Sequence, residues 1–239
     1  MAADFEKQSY WHDRFTSETA FEWLAPSTAF IPFIEPYLNS SGNQKILHLG
    51  SGTSDLHVRL REKGHNDVTN VDYEPLALAR GREMEERFFG DVGMKYVVAD
   101  VTELDLPADL LIHDGFNGFD IVLDKGTVDA AACAGDEATS AMARWVRKCL
   151  KDGGVWISLS YSAGRFEIKE LPFDSGKLGS PNPETREKGN RDVKFLGAFP
   201  LGPGMSQHRA QDIDFFRIGL VSTVGFVALC NSSIRRPAF

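Results

Sequence analysis

The sequence predicts a doubly wound α/β fold: a mostly parallel sheet of seven strands with helices on both faces and an antiparallel edge strand. Three observations predict it. Short apolar runs alternate with helical patterns, the signature of a parallel sheet covered on both sides. The runs are almost continuously apolar, as strands buried on both faces must be. The last two strand-like runs have no helical pattern between them, so they are expected to pair antiparallel at one edge.

The elements follow in order. KILHL (45–49) is the first strand, followed by a Gly-rich turn and a short helix that ends at Gly64. DVTNV (67–71) is the second, and Pro75, a residue suited to a first helical turn, opens the next helix. KYVVA (95–99) and FDIVL (119–123) are the third and fourth strands. Ala138, Ala141, Met142, Trp145, Val146 and Cys149 recur at helical spacing and share one face. Lys148 and Lys151 suit the end of that helix, and Gly153-Gly154 is its expected stop. VWISLS (155–160) is the fifth strand. A long polar stretch, 165–192, has no period and reads as a loop. VKFLGAF (193–199) and DIDFFRIGLV (212–221) are the last two strands, and the tail from Thr223 has no placement.

Composition narrows the function. The chain has 239 residues, enough for one large domain, and 42% hydrophobic with 25% charged residues is ordinary for a packed core. Lys and Arg number 26 against 34 Asp and Glu, a net charge of -8, which disfavours nucleic acid as a partner. The longest apolar tract, 218–230, is interrupted and too short to span a membrane, and the first residues show no secretory pattern. Cys133, Cys149 and Cys230 are sparse and odd in number, which fits reduced thiols in a cytoplasmic protein. No metal-ligand spacing occurs among the six His, so no metal is expected.

In open parallel sheets, ligands bind beyond the carboxyl ends of the strands, at the point where the strand order reverses. The first strand exits into Gly50-Ser51-Gly52, where Gly50 permits a tight turn and Gly52 a close backbone approach. Asp55 stands where a dinucleotide turn needs its third Gly, and its charge would repel a pyrophosphate. The second strand exits into Asp72, a carboxylate for ribose hydroxyls or a helix cap. The third exits into Asp100, an acceptor for an adenine amine or a turn residue. The fourth exits into Asp124-Lys125-Gly126-Thr127, beside the Gly turn, which makes Asp124, Lys125 and Thr127 acceptor-site candidates. Asp124 or Asp129 is positioned by sequence to guide a cation. Together these exits suggest an adenosine site without a phosphate cradle. S-adenosylmethionine suits it, because aromatic faces attract a sulfonium by ~0.5–2 kcal/mol. The segment before the first strand carries Tyr10, Trp11, Phe15, Phe21, Trp23, Phe30 and Phe33, which read either as a helix packed on the sheet or as an aromatic lid.

YWHDRF (10–15), FEWL (21–24), ILHLGSGTSDL (46–56), VTNVDYEP (68–75), VVADVTEL (97–104), FDIVLDKGTVDA (119–130) and LKDGGVWISLSY (150–161) carry a resemblance. The chain resembles class I S-adenosylmethionine-dependent methyltransferases, and more narrowly the family of the elongation factor one-alpha lysine methyltransferases. That resemblance implies a Rossmann-like single methyltransferase domain over 1–239: an aromatic segment (1–40), a cofactor core (41–162) and a polar loop with edge strands and tail (163–239). It implies cofactor contacts from Trp11, Arg14, Phe15, Trp23, Gly50, Gly52, Asp72, Tyr73, Asp100, Val101, Asp124 and Lys125. Arg14 is a partner for the cofactor carboxylate or a structural ion pair. His48 stands where many class I enzymes carry an acid for the cofactor's amino group. The implied activity is methyl transfer with S-adenosylhomocysteine as product. The acceptor is a protein lysine, on a translation factor for example, or O, N or S of a small molecule. A non-catalytic interaction module is the third reading. A monomer without membrane or nucleic-acid partners is expected.

Overall fold

The computed structural model describes residues 4–103, 105–111, 117–162 and 165, together with the backbone of 193–200 and 215–222. Apart from Arg165, the predicted loop 165–192 lies outside the described residues, as does the tail from Thr223.

Five parallel strands form the centre: β1 (Ile46–Leu49), β2 (Val68–Asp72), β3 (Lys95–Val98), β4 (Phe119–Lys125) and β5 (Leu150–Ser160). Their order is β3-β2-β1-β4-β5, so the winding reverses between β1 and β4. Every side chain of β1 and β2 is buried. Alternate residues face opposite sides, and each side has its own core. Leu47, Leu49, Val71 and Val122 pack with Trp145 and Val146 of helix α7 (Asp136–Cys149). Ile46, Val68, Ile121 and Leu123 pack with Phe30 and Ile34 of α2 (Ser27–Ile34) and with Leu56 and Leu60 of α3 (Leu56–Glu62). These interleaved sets explain why the strands read as unbroken apolar runs.

Helix α4 (Pro75–Phe89) starts as expected, with Glu74 rather than Asp72 as its cap; the Glu74 side chain accepts from the Leu76 N–H at 3.2 Å. It closes on Gly90 in the left-handed conformation. Two boundaries differ from the sequence reading. The helix expected to stop at Gly153-Gly154 stops at Cys149, and β5 begins at Leu150. Leu150 pairs with Phe119 and is buried, so pairing pulls it into the sheet; a register shift before Ile121 and Val155 absorbs the intervening residues. The fourth strand runs on to Lys125, so Asp124 and Lys125 belong to the sheet rather than to a loop beyond it.

The N-terminal segment forms helix α1 (Gln8–Ser17) and α2. Its aromatics divide between two places. Phe30 is core, whereas Trp11 and Phe15 form a separate small cluster with Ala77. A short helix, α5 (Ala108–Leu111), and α6 (Thr127–Cys133) complete the helices used below; α6 had no counterpart in the sequence reading. The backbone of β6 (Val193–Pro200) and β7 (Phe215–Ser222) is extended. Among the described residues no helix is long and apolar enough to cross a membrane.

Candidate functional site

The exits of β1, β2, β3 and β4 line one cavity, roofed by α1 and the segment that follows it. The turn after β1 forms its floor. Gly50 and Gly52 have φ of 53° and 51°, a region favouring glycine. A Cβ on Gly50 would lie 2.1 Å from Thr127 Oγ1, so the close seating of α6 against the turn demands glycine. Thr127 is held there by donating to the Leu49 carbonyl at 3.0 Å.

Asp72 braces the same turn. Its carboxylate accepts from the Gly52 N–H at 2.9 Å and from the Glu74 N–H at 2.9 Å. It is buried, and burial pushes its pKa up to about 6, against those two bonds. Its oxygens retain acceptor capacity toward the cavity. Asp100 is a turn residue, accepting from the Thr102 N–H at 2.8 Å and hydroxyl at 2.6 Å, and it also lines the cavity with Val101 and Tyr73. Asp72 and Asp100 therefore line one cavity, and for Asp100 the turn reading holds.

Aromatic rings form the roof. Trp11 stands 5.7 Å from Phe15 and 5.9 Å from Trp23, measured between ring centroids. Phe5, not singled out in the sequence, adds a ring 5.5 Å from Trp23 and accepts from Trp11 Nε1 at its carbonyl, 2.7 Å away. All four rings face the cavity.

Several charged candidates have other duties. Arg14 does not line the cavity; its guanidinium bonds Glu18 at 2.5 Å and the Tyr10 hydroxyl at 3.0 Å and lies over Phe21 and Trp23, so it is a structural ion pair. Asp124 is fully buried and caps α6, accepting from the Thr127 and Val128 N–H groups at 2.8 and 3.1 Å. It does not line the cavity, and burial raises its pKa to about 7. Asp129 holds the exit of β5, accepting from Ser160, the Tyr161 N–H and Arg165. Lys125 lines the cavity, but its three N–H bonds are accounted for by Glu22 at 2.6 Å and the carbonyls of Trp23 and Ala25 at 2.8 and 3.2 Å. It is a strut from β4 to the roof, not a free cation for a ligand. Burial lowers its pKa, opposed by Glu22.

Sequence reading missed Glu18. Its Oε1 pairs with Arg14, while Oε2 is buried without a partner among the described residues, on the cavity wall. No spacing rule marks it, because its place depends on how α1 lies over the sheet.

The arrangement fits the expected cofactor: a glycine cradle, a buried carboxylate with spare acceptor capacity, a second carboxylate one strand away and an aromatic roof. Residues 40–192 match the model of a family described as a methyltransferase domain. The chain is 53% identical over 173 residues to the methyltransferase srdJ of Neurospora crassa, covering 72% of each. It is 28% identical over 178 residues to EEF1A lysine methyltransferase 4 of Mus musculus, covering 69% of this chain and 65% of that relative, less than two thirds of its length. A crystal structure of magnesium protoporphyrin IX methyltransferase from Synechocystis superposes with a TM-score of 0.53 at 11% identity, covering 93% of this chain and 97% of that one, a likeness of fold.

Proposed function

The chain belongs to the methyltransferase-domain family and is an S-adenosylmethionine-dependent methyltransferase; on that premise we propose that it methylates a lysine of a protein, a translation elongation factor first of all. The observation that carries the acceptor is the similarity to EEF1A lysine methyltransferase 4 over 69% of this chain. The net charge of -8 suits a basic target.

The cofactor supplies a methyl group on a sulfonium, open to attack by a lone pair. The chain's own residues do the rest. Asp72 and the glycine turn hold the adenosine end, and Asp100 and Val101 meet the base. Trp11, Phe15 and Trp23 offer their faces to positive charge and shut out water. A lysine must give its proton up to solvent before it reacts, and desolvation in the pocket lowers its pKa and frees its lone pair. The carboxylate that guides the incoming ammonium is Glu18, because Asp124 does not line the cavity and Asp129 is engaged at the exit of β5.

The same proposal includes one domain over 1–239 and a seven-stranded sheet with an antiparallel edge. Supporting it, β7 registers antiparallel to β5, Val155 opposite Ser222, and β6 registers antiparallel to β7.

Tritium-labelled cofactor incubated with the enzyme and a protein lysate should label a lysine. A parallel incubation with a filtrate of small molecules should stay unlabelled. Label confined to the filtrate overturns the lysine and installs a metabolite as acceptor.

A further inference from the structure

Leu24 stands alone among the described non-glycine residues in having a positive φ, 65°. A Cβ crowds the backbone carbonyl at that angle, so glycine is the usual occupant. The Ala25 N–H donates to the Trp23 carbonyl, two residues back, at 2.7 Å. That bond closes a γ-turn centred on Leu24, in the strained form that a positive φ marks. Such strain persists only where the surroundings over-determine it.

Here they do so from both sides. Ahead of the turn, the Phe21 N–H donates to the carbonyl and hydroxyl of Thr53 at 3.3 and 3.1 Å. Glu22 accepts from the hydroxyls of Ser27 and Ser54, both at 3.0 Å, and from the Asp55 N–H at 2.8 Å. Across the turn, Lys125 donates to the carbonyls of Trp23 and Ala25, the two residues that flank Leu24, and pairs with Glu22. Two carbonyl dipoles aimed at one point repel each other unless a cation stands there. Gly126, next in the chain, runs beneath: a Cβ on it would lie 3.6 Å from Trp23 Cδ1 and 3.5 Å from Leu24 Cδ1. Trp23 lines the cavity, so the clamped turn sets where its ring stands on the wall.

We propose that Lys125 is a positioning residue: its ammonium clamps the strained turn at Leu24 and so holds the Trp23 ring over the cofactor, without itself binding the cofactor. This role rests on the reading above that Trp23 covers the cofactor, and it holds whichever acceptor is methylated.

Calorimetry with S-adenosylhomocysteine on the full chain tests it as a double-mutant cycle. Lys125→Met should weaken binding about tenfold, because the freed turn relaxes and the ring leaves the wall. In a Trp23→Ala background the same change should cost less than about twofold, because the ring it acts through is gone. A direct contact between Lys125 and the cofactor, or a general loosening of the fold, would cost the same in both backgrounds; equal losses overturn the proposal. The turn is tested with Lys125 in place. Glycine ordinarily stabilises less than alanine, but at a strained positive φ the order reverses. Leu24→Gly should therefore unfold at a higher urea midpoint than Leu24→Ala. The opposite order overturns the strained turn, and with it the proposal, even where Lys125→Met folds too weakly to titrate. A Trp23→Ala variant that binds as tightly as its parent overturns the aromatic roof on which the role rests. An unaltered protein that does not bind S-adenosylhomocysteine overturns the cofactor itself.

Discussion

Asp72 is the group through which the proposed cofactor contact would depend on pH. Burial raises its pKa to about 6, with Glu74 alongside adding to the rise and the N–H groups of Glu74 and Gly52 opposing it. Ribose hydroxyls donate more strongly to a carboxylate than to a carboxylic acid, so binding favours the ionised form. Affinity for S-adenosylhomocysteine should therefore hold above pH 6 and fall as pH drops below it. Asp72→Ala should cost about 1–3 kcal/mol of binding at pH 8 and flatten that pH dependence; titration calorimetry at pH 5 and pH 8 checks both. Unchanged affinity in the variant would reduce Asp72 to a brace for the turn. At this scale the sequence was legible for Gly50, Gly52, Asp72 and Asp100, whose places follow from strand exits. It was misleading for Asp124, which does not line the cavity, and it left Arg14 open between a cofactor partner and an ion pair, because a charged side chain's partner is not written beside it. The partners of Lys125 lie 100 or more residues away in the chain.

Helix α1 is a roof rather than a wall of the core. Its buried residues, Trp11 and Phe15, join Ala77 in a cluster separate from the two that flank the sheet. Trp11→Ala should weaken cofactor binding by about 1 kcal/mol, the scale of one cation–aromatic contact. Far-UV circular dichroism should retain the helical content of the parent. A collapse of helicity would place Trp11 in the folding core instead. The element boundaries show the same division. Helix α4 was readable from Pro75, a local signal. Helix α6 was not, since Asp124 caps it from the end of a strand. The start of β5 at Leu150 is set by pairing with Phe119, a contact between distant segments.

At the scale of the whole molecule, the N-terminal segment is tied to the sheet by an ion pair whose lysine is buried. Lys125, 3% exposed, reaches from β4 to Glu22 and to two carbonyls of the N-terminal segment. Lys125→Met should cost about 3 kcal/mol in denaturant unfolding, because Glu22 is left without its counter-charge. Adding Glu22→Gln should recover part of that loss. A cost below about 1 kcal/mol would make the pair no better than a surface contact. By itself, the sequence determined the winding of the sheet, the glycine turn and the acids at successive exits. Those follow from periodicity and from the few residues that tolerate a tight turn. Only the tertiary structure decided which charges face the cavity and which serve as struts, and that Glu18 joins the wall. Each of these depends on which groups meet when distant segments pack, and burial then sets their protons.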